Sequence, residues 1–69
     1  MRSDDIKEFV ERDPFIPFRI TLSSGDHIDI TQRHSVAVMR AEVFVVLPDD
    51  RWKLIPLRHI ASIETLQAA

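Results

Sequence analysis

The spacing of apolar residues changes period once along the chain. Ile6, Phe9 and Val10 recur at i, i+3 and i+4, the stripe of an amphipathic helix. Ser3 or Asp5 is placed to cap it, and Asp5 with Glu8 fits the acidic form of a capping box. Pro14 disfavours helical geometry in the residue before it, so the helix is predicted over residues 4–12. Pro17 then keeps the linker extended, and Phe15 and Ile16, between the two prolines, are placed to pin the helix against the sheet.

From Phe18 the period is two. Phe18-Arg19-Ile20-Thr21-Leu22 puts Phe18, Ile20 and Leu22 on one face and Arg19 and Thr21 on the other. Ser23 to Asp26 is a turn in which Gly25 supplies the positive φ of a tight hairpin, and His27 to Thr31 alternates again with Ile28 and Ile30 inward. Gln32 to Ser35 is a polar break or bulge before Val36-Ala37-Val38-Met39. Val43-Phe44-Val45-Val46-Leu47 is apolar on both faces, which predicts that the helix or a second subunit covers the face turned away from the core. Pro48 to Arg51 is a turn, and Trp52 to Leu57 is a strand whose Pro56 belongs at an edge or an end, because it cannot donate a ladder hydrogen bond. Arg58-His59 forms a pivot into a last strand, Ile60 to Leu66. The pattern predicts a mainly β fold: a small SH3-like or Sm-like antiparallel barrel of five or six strands over residues 17–66, carrying an N-terminal helix, in a single domain of residues 1–69.

Size and composition narrow what such a domain can do. A chain of 69 residues buries only about 60% of its unfolded surface. With no cysteine it has neither disulfides nor thiolate metal sites to help it, so self-association is the expected support. No apolar run reaches the roughly 20 residues of a membrane helix, and Met1 to Asp5 lacks the layout of a signal peptide; the cytoplasm is the expected compartment. A net charge of −2 excludes a protein that holds nucleic acid by bulk electrostatics alone. The charge is uneven, however: residues 1–32 carry four basic and seven acidic side chains, and residues 33–59 five basic and three acidic. An anion-facing surface therefore belongs to the later strands.

Two resemblances add to this reading. The stretch Leu57-Arg58-His59-Ile60-Ala61-Ser62-Ile63 is similar to the Tyr-Lys-His-Ala-Ile-Ser segment of the Sm-like bacterial RNA chaperone Hfq, and Phe18 to Gly25 resembles that family's first strand and turn. The resemblance implies a ring whose pore binds uridine-rich RNA, with Arg58 and His59 at the positions of the pore residues. The chain departs from the family at several points. Leu57 replaces the tyrosine, no glycine stands among Ile28 to Val38, Glu42-Val43-Phe44 replaces a base-stacking Gln-Phe pair, and Pro56 takes a donor out of the strand that would meet the next subunit. The run Pro14-Phe15-Ile16-Pro17-Phe18-Arg19-Ile20-Thr21-Leu22-Ser23-Ser24-Gly25 more closely resembles the Pro-Phe-x-Pro-Phe-x-Ile-x-Leu-x-x-Gly motif of a group of short uncharacterised bacterial proteins. That likeness implies a structural unit and brings no function with it.

Catalytic and metal chemistry find little footing. There is no cysteine or tyrosine, no glycine-rich phosphate loop and no serine in a nucleophile elbow, so no enzyme and no cofactor are expected. His27, His34 and His59 lack the short spacings of metal motifs and read as solvated. Arg33, Arg40, Arg51 and Arg58 read as solvated loop residues, and Trp52 as a cover for one end of the barrel. The leading function is a protein-interaction or self-assembling module that uses an apolar sheet face or an open strand edge, with Phe44, Val46 and Trp52 as interface candidates. The partner would be another protein or the chain itself as a homo-oligomer, with no membrane. The alternative is an Sm-like module for RNA or single-stranded nucleic acid that uses Arg58 and His59.

Overall fold

The computed structural model describes residues 2–66. One helix, α1 (Ser3–Val10), precedes six strands: β1 (Phe18–Leu22), β2 (His27–Ile30), β3 (Val36–Val38), β4 (Glu42–Val46), β5 (Trp52–Pro56) and β6 (Ile60–Thr65). The fold is thus mainly β, with every pairing antiparallel, in two three-stranded sheets ordered β2-β1-β6 and β3-β4-β5. The polar break predicted at Gln32 to Ser35 is a single 3₁₀ turn, Arg33–Ser35, that carries the chain from the first sheet to the second. The pivot is a second such turn, Leu57–His59, that carries it back. Among the described residues the strand pairing makes two sheets rather than one closed ring. Each sheet's ladder runs on into the pivot turn, the first through Ser23 N–H to the His59 carbonyl at 2.8 Å and the second through Leu57 N–H to the Ala41 carbonyl at 3.0 Å.

The register brings the alternating apolar residues together. Phe18 lies opposite Ile30 and Ile20 opposite Ile28 in the first sheet, and Val43 lies opposite Ile55 in the second. These residues meet Ile6 of α1 in a core whose buried members are all apolar. Phe18, fully buried, receives the ring of Phe9 from the helix at 5.5 Å and that of Phe15 from the linker at 5.9 Å. Burial of a side chain this size contributes about 2–3 kcal/mol, so the Pro-Phe-x-Pro-Phe entry is the seam between helix and sheet.

Several local expectations are corrected. Arg2, with no side-chain cap bond, occupies the N-cap position, while Ser3 and Asp5 lie inside the helix. Asp4 and Asp5 still sit in its first turn, where the helix dipole favours them. The helix stops at Val10, two residues short of the predicted limit, and a distant residue satisfies the carbonyls at its end. The Arg33 guanidinium donates to the Val10 carbonyl at 2.9 Å and to that of Arg12, and lies 5.6 Å over the Phe15 ring. Arg33, exposed on the 3₁₀ turn between the sheets, thus also reaches in to the carbonyls at the C-terminus of the helix. Arg51 stays exposed in the β4–β5 turn, its Nε donating to Asp49 at 2.7 Å.

Pro56 ends β5, an edge strand, as its chemistry requires. Backbone bonds from Leu47 N–H to Arg51 and from Leu57 N–H to Ala41 bracket the β4–β5 pair. By antiparallel alternation Lys53 and Ile55 then bond to β4, whereas Trp52, Leu54 and Pro56 turn their backbone groups to the open edge. The missing donor of Pro56 costs the sheet nothing and falls on the side a neighbouring strand would use. No helix among the described residues is long and apolar enough to cross a membrane.

Candidate functional site

Alternation along β4 sends Val43 and Val45 into the core and leaves Glu42, Phe44 and Val46 on the outer face. On β5 Ile55 is buried, and Trp52, Leu54 and Pro56 point the other way. The register sets Phe44 between Ala37 and Leu54, and Val46 beside Trp52. The rings of Phe44 and Trp52, diagonal neighbours, stack at 5.5 Å with 28° between their planes. The interface candidates Phe44, Val46 and Trp52 thus share one face.

That face is left bare by the described residues. Trp52 is 63% exposed, Leu54 46%, Val46 44% and Met39 41%. The helix packs toward β3 and Phe18 and does not cover the outer side of β4, contrary to one branch of the expectation for Val43 to Leu47. Nor does Trp52 close a barrel end; it lies flat against Phe44. Leu54 and Met39 belong to the same patch and were missed in the sequence. For Leu54 the signal was present, since it is two residues from Trp52 on one strand. Met39 follows the short β3 and carries no such mark.

At the corner of this face, the 3₁₀ turn Arg33–Ser35 and the end of β4 enclose a groove of about 370 Å³. Its walls include Thr31, His34, Ser35, Val46, Leu47 and Pro48. The apolar face therefore ends in a concavity.

The outer face of the first sheet is the reverse. Arg19 lies between Asp29 and Glu64, and Thr21 between His27 and Ser62. Arg19 Nε meets Asp29 Oδ1 at 2.7 Å. The hydrogen bond to Asp29 raises the Arg19 pKa, and the same bond holds the Asp29 carboxyl below its ordinary range. This is a solvated ionic ladder, worth little to stability.

Arg58 and His59 are exposed on the second 3₁₀ turn, whose backbone the first hairpin holds through Ser23 N–H and Ser23 Oγ to the His59 carbonyl. Arg40 stands at the same end of the β3-β4-β5 sheet, since the Leu57–Ala41 bond makes their neighbours adjacent. Neither arginine has an ion-pair partner among the described residues. The three histidines lie apart, on β2, in the groove and at the pivot, and no three metal-ligating side chains converge among the described residues. Comparison with family models, with curated proteins and with solved structures gives no match to this chain.

Proposed function

We propose that the chain is a non-enzymatic protein-interaction or self-assembling module of the cytoplasm, whose contact surface is the outer face of the β3-β4-β5 sheet. The observation that carries this reading is the gathering of Phe44, Val46, Trp52 and Leu54, three of them over 40% exposed, on a face that none of the described residues covers. A contiguous apolar surface costs solubility, and in a small monomer it marks a site of association. The open edge of β5 is the poorer surface, because Lys53 and Pro56 are devices that discourage strand addition. The reading takes the two sheets as halves of a small SH3-like or Sm-like barrel. The 3₁₀ turns that split the second long strand and precede the last one support that view.

Changing Trp52 and Leu54 together to serine tests the site. The variant is expected to keep its melting temperature within a few degrees and to lose the associations of the wild-type chain, whether with itself or with a protein co-purified from its host. A variant that keeps all of them sinks the proposal.

A second reading, an Sm-like nucleic-acid module, has one observation in its favour, the exposed Arg58 and His59 on a backbone-anchored turn. An acidic pI near 5.8 opposes it unless several copies converge. Fluorescence anisotropy with short uridine-rich RNA is expected to show no tight, salt-sensitive binding. Such binding, lost in the double change of Arg58 and His59 to alanine, would reverse the ranking.

A further inference from the structure

Among the described residues the two sheets have four edges, β2 and β6 on the first and β3 and β5 on the second. Three are guarded in ways that discourage strand addition. β5 carries Lys53 and Pro56, β6 bulges where its register against Thr21 and Leu22 shifts, and β3 is three residues long with α1 packed against it. β2 has no lysine, proline or bulge. The bond from Leu22 N–H to the Asp26 carbonyl at 2.8 Å fixes the parity of its ladder. By antiparallel alternation Ile28 and Ile30 bond to β1, while His27, Asp29 and Thr31 turn their backbone donors and acceptors to the open side, where no strand among the described residues meets them. Open backbone groups of this kind take up another extended backbone.

We infer that the added strand is the β2 of a second copy, antiparallel, which joins the two first sheets into one of six strands. The side chains choose the register. Open residues must lie opposite open residues, which leaves three arrangements about the middle of the strand. One sets Asp29 against Asp29, like charges that repel; another sets His27 against His27 and leaves each Asp29 opposite Gly25. The third, with the twofold axis between the two Ile28 residues, sets His27 of each copy against Asp29 of the other. Both side chains are exposed on the outer face, and a carboxylate that accepts from Arg19 through both oxygens has lone pairs left for an imidazole N–H. The row Glu64, Arg19, Asp29 then continues across the seam into His27, Thr21 and Ser62 of the second copy.

The same register engages the groove. It sets Gly25 and Ser24 of each copy opposite Thr31 and Gln32 of the other, at the hollow of about 370 Å³ that runs to Val46, Leu47 and Pro48. The tip of the first hairpin projects freely, with nothing within 4 Å of a Cβ placed on Gly25, and its small residues suit that hollow. Asp26 is the remaining charge on the hairpin and falls opposite Ile30. Near the groove Arg33, Arg51 and Lys53 outnumber Asp49 and Asp50 by one, so no net like charge opposes it. None of this uses the outer face of the β3-β4-β5 sheet, so the two contacts stand or fall separately.

Sedimentation equilibrium and amide hydrogen exchange would be followed together from about 1 µM to about 500 µM, the span over which a small interface associates. The expected result is a doubling of mass, with the amides of His27, Asp29 and Thr31 exchanging about tenfold more slowly in the dimer. His27→Pro should abolish both effects and leave the melt cooperative, because the His27 N–H makes no bond within the chain and proline is tolerated on an open edge. Two variants that leave the backbone alone carry the test if the proline disturbs folding. Ser24→Trp should block the seating of the tip in the groove, and His27→Asp, which sets carboxylates against each other at two places, should weaken the dimer about fivefold. Changing Trp52 and Leu54 to serine removes what the outer face binds and should leave this dimer intact. A monomer throughout, with fast-exchanging edge amides, overturns the inference and leaves the outer face to its own test. A dimer that survives both His27→Pro and Ser24→Trp overturns the β2 edge as its seam. A dimer lost in His27→Pro but indifferent to His27→Asp and Ser24→Trp overturns the register.

Discussion

The two sheets are built alike and finished differently. Each has three antiparallel strands and an apolar inner face, of isoleucine and phenylalanine in the first and of valine and isoleucine in the second, and each has a hairpin turn with a positive φ, at Gly25 in the first and Asp50 in the second. Outside, the first sheet presents Asp29, Arg19 and Glu64 in a row, and the second presents Phe44, Val46, Trp52 and Leu54. Folding needs only the inner faces, so the outer ones are free to differ. An ionic ladder in water leaves a face monomeric and soluble, while an apolar outer face gains free energy only when something covers it. The difference therefore separates residues that make the domain from residues to which the proposed function assigns contact.

The sharpest way to break this comparison is within β4 itself, where consecutive residues serve the two purposes. Val45→Asp buries an unpaired charge and should cost about 4 kcal/mol or more, enough to unfold a domain this small. Phe44→Asp, one residue away, should leave a cooperative melt and remove association instead. If both variants unfold, the outer face is part of the core and the distinction fails.

The hairpins come next. Gly25 has φ +98°, and a Cβ there would meet nothing within 4 Å, so Gly25→Val tests backbone strain alone. It should destabilise by about 1–3 kcal/mol in urea denaturation. An unchanged midpoint would show that the first hairpin does not need its positive φ. Asp50, at φ +65°, is the mirror case. Asp50→Gly should stabilise by about 0.5–1 kcal/mol, since aspartate only tolerates what glycine adopts freely. A loss of stability would mean that the Asp50 side chain contributes something its geometry does not show.

The smallest effect belongs to the ionic ladder. Because Arg19 lowers the Asp29 pKa on folding, the pair stabilises above the unfolded pKa of Asp29. That contribution is lost as the pH falls through the depressed folded value. Asp29→Asn should change the melting temperature little at pH 7 and flatten its fall on the acid side. A large loss at pH 7 would raise the first sheet's outer face from solvated surface to structural element.

Much of this was legible without coordinates because it depends on neighbours along the chain. Alternation in Phe18 to Leu22 and His27 to Ile30, the glycine of the first turn and the helical spacing of Ile6, Phe9 and Val10 each encode a local preference that the fold obeys. The cap of the helix was not legible, since it depends on Arg33, which the chain brings back only after completing a hairpin. The same holds for Trp52, whose partner Phe44 comes from the strand before it in a register no local pattern specifies.

By itself, then, the order of polar and apolar residues determined which elements form and which side chains each strand sends to either face, because side-chain direction follows backbone period. It did not determine which of two apolar faces would be covered. In Val43 to Leu47 both are apolar, and only the packing of α1 toward β3 and Phe18, away from the outer side of β4, leaves Phe44 and Val46 open. Burial is a property of what lies opposite, and what lies opposite is set by the arrangement of whole elements in space.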